Sequence, residues 1–89
     1  PGPYLNAGLA YYYKAIKLDK KTQVSNKMKK SIQSYYQKAL PYMERYRAMV
    51  PNDQQRWAFP LYTIYLNLNM GAEFDEMEKI IKKQTNNKH

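Results

Sequence analysis

The apolar residues of this chain return every three or four positions from one end to the other, and that period restricts what it can fold into. Leu5, Leu9, Tyr12 and Ile16 step by four, three and four, while Ile32, Tyr36, Ala39, Met43, Tyr46 and Val50 alternate four and three without a miss. Trp57, Leu61, Ile64 and Leu68 repeat the pattern, and so do Met70, Phe74, Met77 and Ile81. Side chains three and four apart share one face of an α-helix, so each series paints one apolar stripe. No segment sustains the period-two alternation of a half-buried strand. The expectation is an all-α fold of four amphipathic helices, in two antiparallel hairpins with the third helix against the second.

The punctuation between the stripes agrees with four helices. Pro51-Asn52-Asp53-Gln54-Gln55 predicts an N-cap at Asn52 with a capping-box glutamine three residues on. Asn69 and Gly71 fall where a left-handed C-cap and a turn are needed. Glu73, Asp75 and Glu76 open the last stripe while Lys79, Lys82 and Lys83 close it, which suits the helix dipole and predicts Asp75–Lys79 and Glu78–Lys82 pairs. Pro41 and Pro60 fall inside stripes and predict kinks or late helix starts. The segment from Asp19 to Lys30 is basic and weakly periodic, and reads equally as a loop or as the solvated start of the second helix. We assign residues 1–85 to a single domain, with unit one at about 3–50, unit two at about 52–83, and a polar tail over 86–89.

Chemistry is scarce. The 89 residues include no cysteine, which removes disulfides, thiolate metal sites and cysteine nucleophiles. The only histidine is His89, at the very end, and serine occurs only at Ser25, Ser31 and Ser34, so no base stands beside a nucleophile. Three glycines make no phosphate-cradling loop. Glu73, Asp75, Glu76 and Glu78 lack a calcium-loop spacing and sit where carboxylates favour a helix start. We therefore expect no catalytic residues, no metal and no cofactor, and no apolar run reaches the length of a transmembrane helix. The net charge of +8 falls entirely within the first 50 residues. Lys14, Lys17, Lys20, Lys21, Lys27, Lys29 and Lys30 make a candidate anion patch for nucleic acid or an anionic surface. Seven cations so close should be exposed, as a solvated face at the least.

Several stretches resemble the tetratricopeptide repeat. Tyr4-Leu5-Asn6-Ala7-Gly8-Leu9-Ala10-Tyr11-Tyr12 is similar to the first helix of that repeat, with a small residue and a glycine midway and aromatics after them. Ala39-Leu40-Pro41-Tyr42-Met43-Glu44, closing on Val50-Pro51-Asn52-Asp53, resembles its second helix and final turn. Trp57, Tyr65 and Phe74-Asp75-Glu76-Met77 repeat the pattern in a second, more divergent unit, and Tyr62 to Phe74 looks like the TPR-like proteins of Bacteroidetes. The likeness covers residues 4–81. It departs in four places, one of them the eight residues from Trp57 to Tyr65 where the repeat has seven. Tyr11 to Ala39 spans 28 residues where the repeat has nine, an insertion of about 19. Tyr46 stands where alanine is usual, which should push the neighbouring helix outward, and Met77 replaces a small residue.

What the resemblance implies is a non-enzymatic protein–protein interaction module, a fragment of an α-solenoid whose first helices line a concave groove. Its groove candidates here are Leu5, Leu9, Tyr12 and Tyr13 from unit one and Phe59, Thr63 and Asn67 from unit two. Leu5, Leu9 and Tyr12 serve equally as core. The partner implied is a protein or peptide, with nucleic acid ranked second. Two units fall short of the three or so that bury a continuous core, so further repeats upstream or self-association are expected. The opening Pro1-Gly2-Pro3, without Met, likewise predicts a piece of a longer chain. Composition leaves localisation open, and the family likeness suggests an exported, periplasmic setting.

Overall fold

A computed structural model describes residues 1–21, 23 and 25–86, with the side chains of residues 85 and 86 excepted. His89 and the rest of the tail beyond residue 86 lie outside the described residues. Four helices follow one another: α1 (Gly2–Asp19), α2 (Asn26–Met49), α3 (Gln54–Asn67) and α4 (Gly71–Asn86). No strand occurs among the described residues. Each apolar stripe read from the sequence lies on one of these helices, except for Val50, Leu68 and Met70, each one residue beyond a helix end.

The helix ends show which local signals prevailed. Pro3 sits at the start of α1, where a missing N–H costs nothing because that donor has no partner within the helix. The basic stretch after Asp19 divides: α1 stops at Asp19, Ser25 caps α2 by accepting from the Met28 N–H at 3.2 Å, and Lys27, Lys29 and Lys30 lie in the first turns of α2. Val50 ends α2 by leaving the helical region (φ −134°, ψ 67°), since the following Pro51 disfavours helical backbone at the residue before it. Asn69 takes the left-handed conformation (φ 58°) between α3 and α4, as its position predicts, while Gly71 has no positive φ and is the first residue of α4.

Four expectations need correction. Asn52 is not the cap of α3; Asp53 holds that position and caps nothing with its side chain. Its carboxylate instead accepts from the Tyr46 hydroxyl and, at 2.9 Å, from Arg56. Pro41 and Pro60 each lie within a continuous helix, and neither marks a late start. Pro60 withholds the N–H that the Arg56 carbonyl would otherwise receive, but its ring is buried and repays that loss with apolar contact. The polar tail does not begin at residue 86, because α4 runs through Asn86. No proline interrupts that stretch, and the Gln84 amide reaches Gln54 on α3 at 3.4 Å. Finally, Lys82 meets Glu78 at 3.6 Å, but no Asp75–Lys79 pair forms among the described residues.

The helices pack in series, each on the next, with a smaller contact between α1 and α3. The result measures 41 × 27 × 23 Å, longer than a sphere of this chain length would be. Between α1 and α2, Gly8 faces Met43 and Tyr42, and Tyr12 meets Tyr36, with Ala15 and Ala39 fully buried alongside. Between α2 and α3, Trp57 is 2% exposed, donates its indole N–H to the Val50 carbonyl at 3.1 Å, and lies 4.7 Å beneath the Arg47 guanidinium. The same seam holds Tyr46 against Asp53, and the Tyr65 hydroxyl donates to Glu44 at 2.7 Å. Tyr46, 5% exposed, thus fills the space between α2 and α3. Between α3 and α4, the Tyr62 and Phe74 rings sit 4.7 Å apart and Met77 is fully buried. Arg47 also pairs with Glu76 at 2.9 Å; both side chains are partly exposed, so this pair contributes at most about 1 kcal/mol.

Candidate functional site

A cleft of about 560 Å³ opens between α1 and α3. Leu5, Leu9, Tyr12, Tyr13, Ile16 and Lys20 form its α1 wall, and Gln55, Arg56, Phe59 and Pro60 its α3 wall. Both sets follow from helical periodicity: steps of three and four along α1, and the pairs 55/56 and 59/60 one turn apart on α3. The floor is apolar and partly core, because Tyr12 and Pro60 are buried and Leu5, Leu9 and Ile16 half-buried. The rim carries two large exposed rings, Tyr13 (59% exposed) and Phe59 (57%). Lys20, just past the end of α1, and Arg56, in the first turn of α3, are exposed cations in the cleft lining.

Five of the seven predicted groove residues therefore line one cleft: Leu5, Leu9, Tyr12, Tyr13 and Phe59. Thr63 and Asn67 do not. They stand further along α3, where the Thr63 hydroxyl donates to the Phe59 carbonyl at 3.1 Å and the Asn67 amide to the Thr63 carbonyl at 2.8 Å. Short polar side chains on a helix readily bond back to the preceding turn, so these groups are turned to their own backbone. The predicted groove did not include Gln55, Arg56 and Pro60, nor Ile16, read only as part of the α1 stripe, nor Lys20, read only as part of the anion patch. The signal was available, since 55, 56 and 59 recur at one helical face, but no apolar residue marks it before Phe59.

Arg56 is tethered as well as exposed. The carboxylate of Asp53 raises its pKa, and in return the Tyr46 hydroxyl and Arg56, by donating to Asp53, hold that carboxyl below its ordinary value. Hydrogen bonding to the same carboxylate, followed by burial, pushes the Tyr46 hydroxyl up. One acid thus ties the end of α2 to the start of α3 and fixes the α3 side of the cleft. Tyr12, in the floor, is raised by burial, partly offset by the polar side chain of Thr63 beside it. Tyr36 behind it is pushed up to about 12 by burial and by the charge of Asp19.

The seven predicted anion-patch lysines are all exposed, but they do not share one surface. Lys20 belongs to the cleft, whereas Lys14, Lys17 and Lys21 surround Leu18 and Tyr35 in a separate hollow of about 250 Å³. Lys27, Lys29 and Lys30 line neither. Among the described residues no group of three or more His, Asp or Glu side chains is placed to hold a metal ion, and no helix is long and apolar enough to cross a membrane.

What fold and site define together is an all-helical chain with an open, apolar cleft between its first and third helices. It matches no protein-family model, no curated protein and no solved structure.

Proposed function

We propose that this chain is a non-enzymatic protein–protein interaction module of tetratricopeptide-repeat type, built of two helix hairpins, and that the cleft between α1 and α3 receives a peptide segment of its partner. The observation that carries this reading is the position of the two most exposed large rings of that cleft. Tyr13 and Phe59 come from the first helices of successive units and stand at the rim of the same apolar depression. In a repeat of this type those helices are the ones that line the concave face. Contacts along each successive helix pair run in opposite directions, as hairpins require: Gly8 with Met43 but Tyr12 with Tyr36, and Phe74 with Tyr62 but Gln84 with Gln54. A fitting ligand presents an apolar side chain between the two rings and a carboxylate towards Lys20 or Arg56. Because two units bury little continuous core, stacking on further repeats or on a second copy belongs to this proposal.

The second reading, a basic helical domain that binds nucleic acid or an anionic surface through Lys14–Lys30, ranks lower because those lysines point to separate surfaces. The test uses peptides selected from a random display library on the immobilised chain. We expect them to lose at least about tenfold in affinity on the Tyr13→Ala/Phe59→Ala variant and to weaken only modestly as salt screens the carboxylate contact. Selected peptides that bind the variant as tightly as the parent would place the interaction elsewhere. Retention on heparin to high salt, abolished by Lys→Gln changes, would favour the second reading.

A further inference from the structure

The face of α1 and α2 turned away from the cleft carries a row of tyrosines set among cations. The rings of Tyr35, Tyr11 and Tyr42 follow one another with centroids 6.5 and 6.1 Å apart. The ammonium groups of Lys14 and Lys38 lie 5.8 to 6.0 Å over the Tyr11 and Tyr35 rings, and the Arg45 guanidinium lies 5.6 Å over Tyr4. Two hollows, of about 660 and 250 Å³, lie along this row, the larger lined by Tyr4, Tyr11 and Tyr42 and the smaller by Tyr35. Five cations line them and not one carboxylate, although the chain has seven.

The seam between α2 and α3 shows what such parts do when they are paired. There the hydroxyls of Tyr46 and Tyr65 end on the carboxylates of Asp53 and Glu44, and Arg47 is shared between the Trp57 ring and Glu76. The outer face has the same donors: among the described residues, the hydroxyls of Tyr4, Tyr11, Tyr35 and Tyr42 make no hydrogen bond, and Lys14, Lys38 and Arg45 make no ion pair. It is one half of a helix seam, lacking the acids and the apolar stripe of the other half.

We infer that this face, centred on Tyr11 and Tyr42 with Lys14, Lys38 and Arg45, docks an amphipathic helix whose apolar stripe is flanked by acidic residues. The row runs from Tyr4 to Leu18, about 20 Å at the helical rise, which is the length of a helix of some 14 residues. Charge complementarity selects the acidic flanks. Stacked nucleobases fit less well, because stacking needs open ring faces and those of Tyr11 are occupied by Tyr35, Tyr42 and two ammonium groups. The inference is independent of the cleft reading, whose residues lie on the other side of α1.

The test measures fluorescence anisotropy of the full chain with a labelled peptide of about 16 residues, helical, with Leu and Phe on one stripe and Glu on both flanks. A second peptide carries Gln for every Glu, and a third probe is a 20-nucleotide oligothymidylate. The Glu peptide should bind and gain helicity by circular dichroism, and the Gln peptide should bind at least about tenfold more weakly. The Lys14→Gln/Lys38→Gln/Arg45→Gln variant, all at exposed positions, should melt as the parent does and weaken the Glu peptide by a similar factor. Tyr13→Ala/Phe59→Ala should leave it within about twofold, so that failure here and failure of the cleft are told apart. Absence of binding into the millimolar range overturns the inference. So does indifference to the Glu-to-Gln change or to the triple variant, and so does tighter binding of the oligothymidylate through the same three cations.

Discussion

Gly8 permits α1 and α2 to approach as closely as they do, and replacing it measures that approach. A Cβ built at Gly8 would lie 2.6 Å from Met43 Sδ, 2.9 Å from Met43 Cγ and 3.2 Å from Tyr42 Cβ. Ordinary carbon contacts lie near 3.5–4.0 Å, so the Met43 side chain would have to retreat by about 1 Å. It is fully buried and has little room to do so, and Tyr42 Cβ moves only with the body of α2. Overpacking of this kind costs about 1–3 kcal/mol, while alanine in a helix interior gains about 0.8–1.0 kcal/mol over glycine. Gly8→Ala should therefore lie between neutral and about 2 kcal/mol destabilising, although helix propensity by itself predicts the opposite sign. Urea denaturation followed by far-UV circular dichroism measures this directly. The decisive control is the Met43→Ala background, where the obstruction is gone. There Gly8→Ala should stabilise by about 1 kcal/mol, reversing its effect and giving a coupling energy of about 1–3 kcal/mol. A parent-background Gly8→Ala that is stabilised by the full propensity gain would show that α1 and α2 are not in close contact at this point, and the argument would fail.

Trp57→Ala should cost about 3–5 kcal/mol, enough to unfold much of a domain this small; a variant that melts like the parent would mean that Trp57 does not hold the α2–α3 seam. Raised folded-state values at Tyr12, Tyr36, Tyr46 and Tyr65 give stability that is fully present below the unfolded tyrosine pKa near 10. That stability is lost as pH rises through the folded values, about 12 for Tyr36, so helix loss and tyrosinate absorbance should rise together over this window, and Tyr36→Phe should shift the transition upward. The lowered pKa of Asp53 works the other way: its contribution is present above about pH 4 and lost as pH falls through the folded value, so Asp53→Asn should flatten the acid limb of the stability curve. Changing Lys20, Lys21, Lys29 and Lys30 together to Gln should move the melting temperature by no more than a few degrees, since all four are exposed and form no ion pair among the described residues.

What the sequence alone determined was local. A 3.6-residue period is written into consecutive side chains, so the four stripes, their helices and the left-handed Asn69 were legible without any knowledge of neighbours. The absence of cysteine and the placing of the positive charge were equally plain. Five of the seven residues predicted for a groove line one cleft because a face that borders the core is apolar, and apolar residues announce themselves. Even the division of the lysines could have been read: 14, 17 and 21 recur at helical spacing, whereas Lys20 falls on another side.

Tertiary structure decided whatever depended on a partner distant in sequence. Asn52 and Asp53 are equally good caps, and the choice fell to the Tyr46 hydroxyl, which reaches Asp53 from the preceding helix. Thr63 and Asn67 share a helix with Phe59, but neither lines the cleft, because each bonds back to the preceding turn of α3. The alignment of Tyr35, Tyr11 and Tyr42 into one row joins residues from two helices. Periodicity states which face of a helix is apolar; it carries no information on the angle and distance at which a second helix crosses it. Those are set by interlocking side chains, here a glycine against a methionine and a tyrosine against an aspartate.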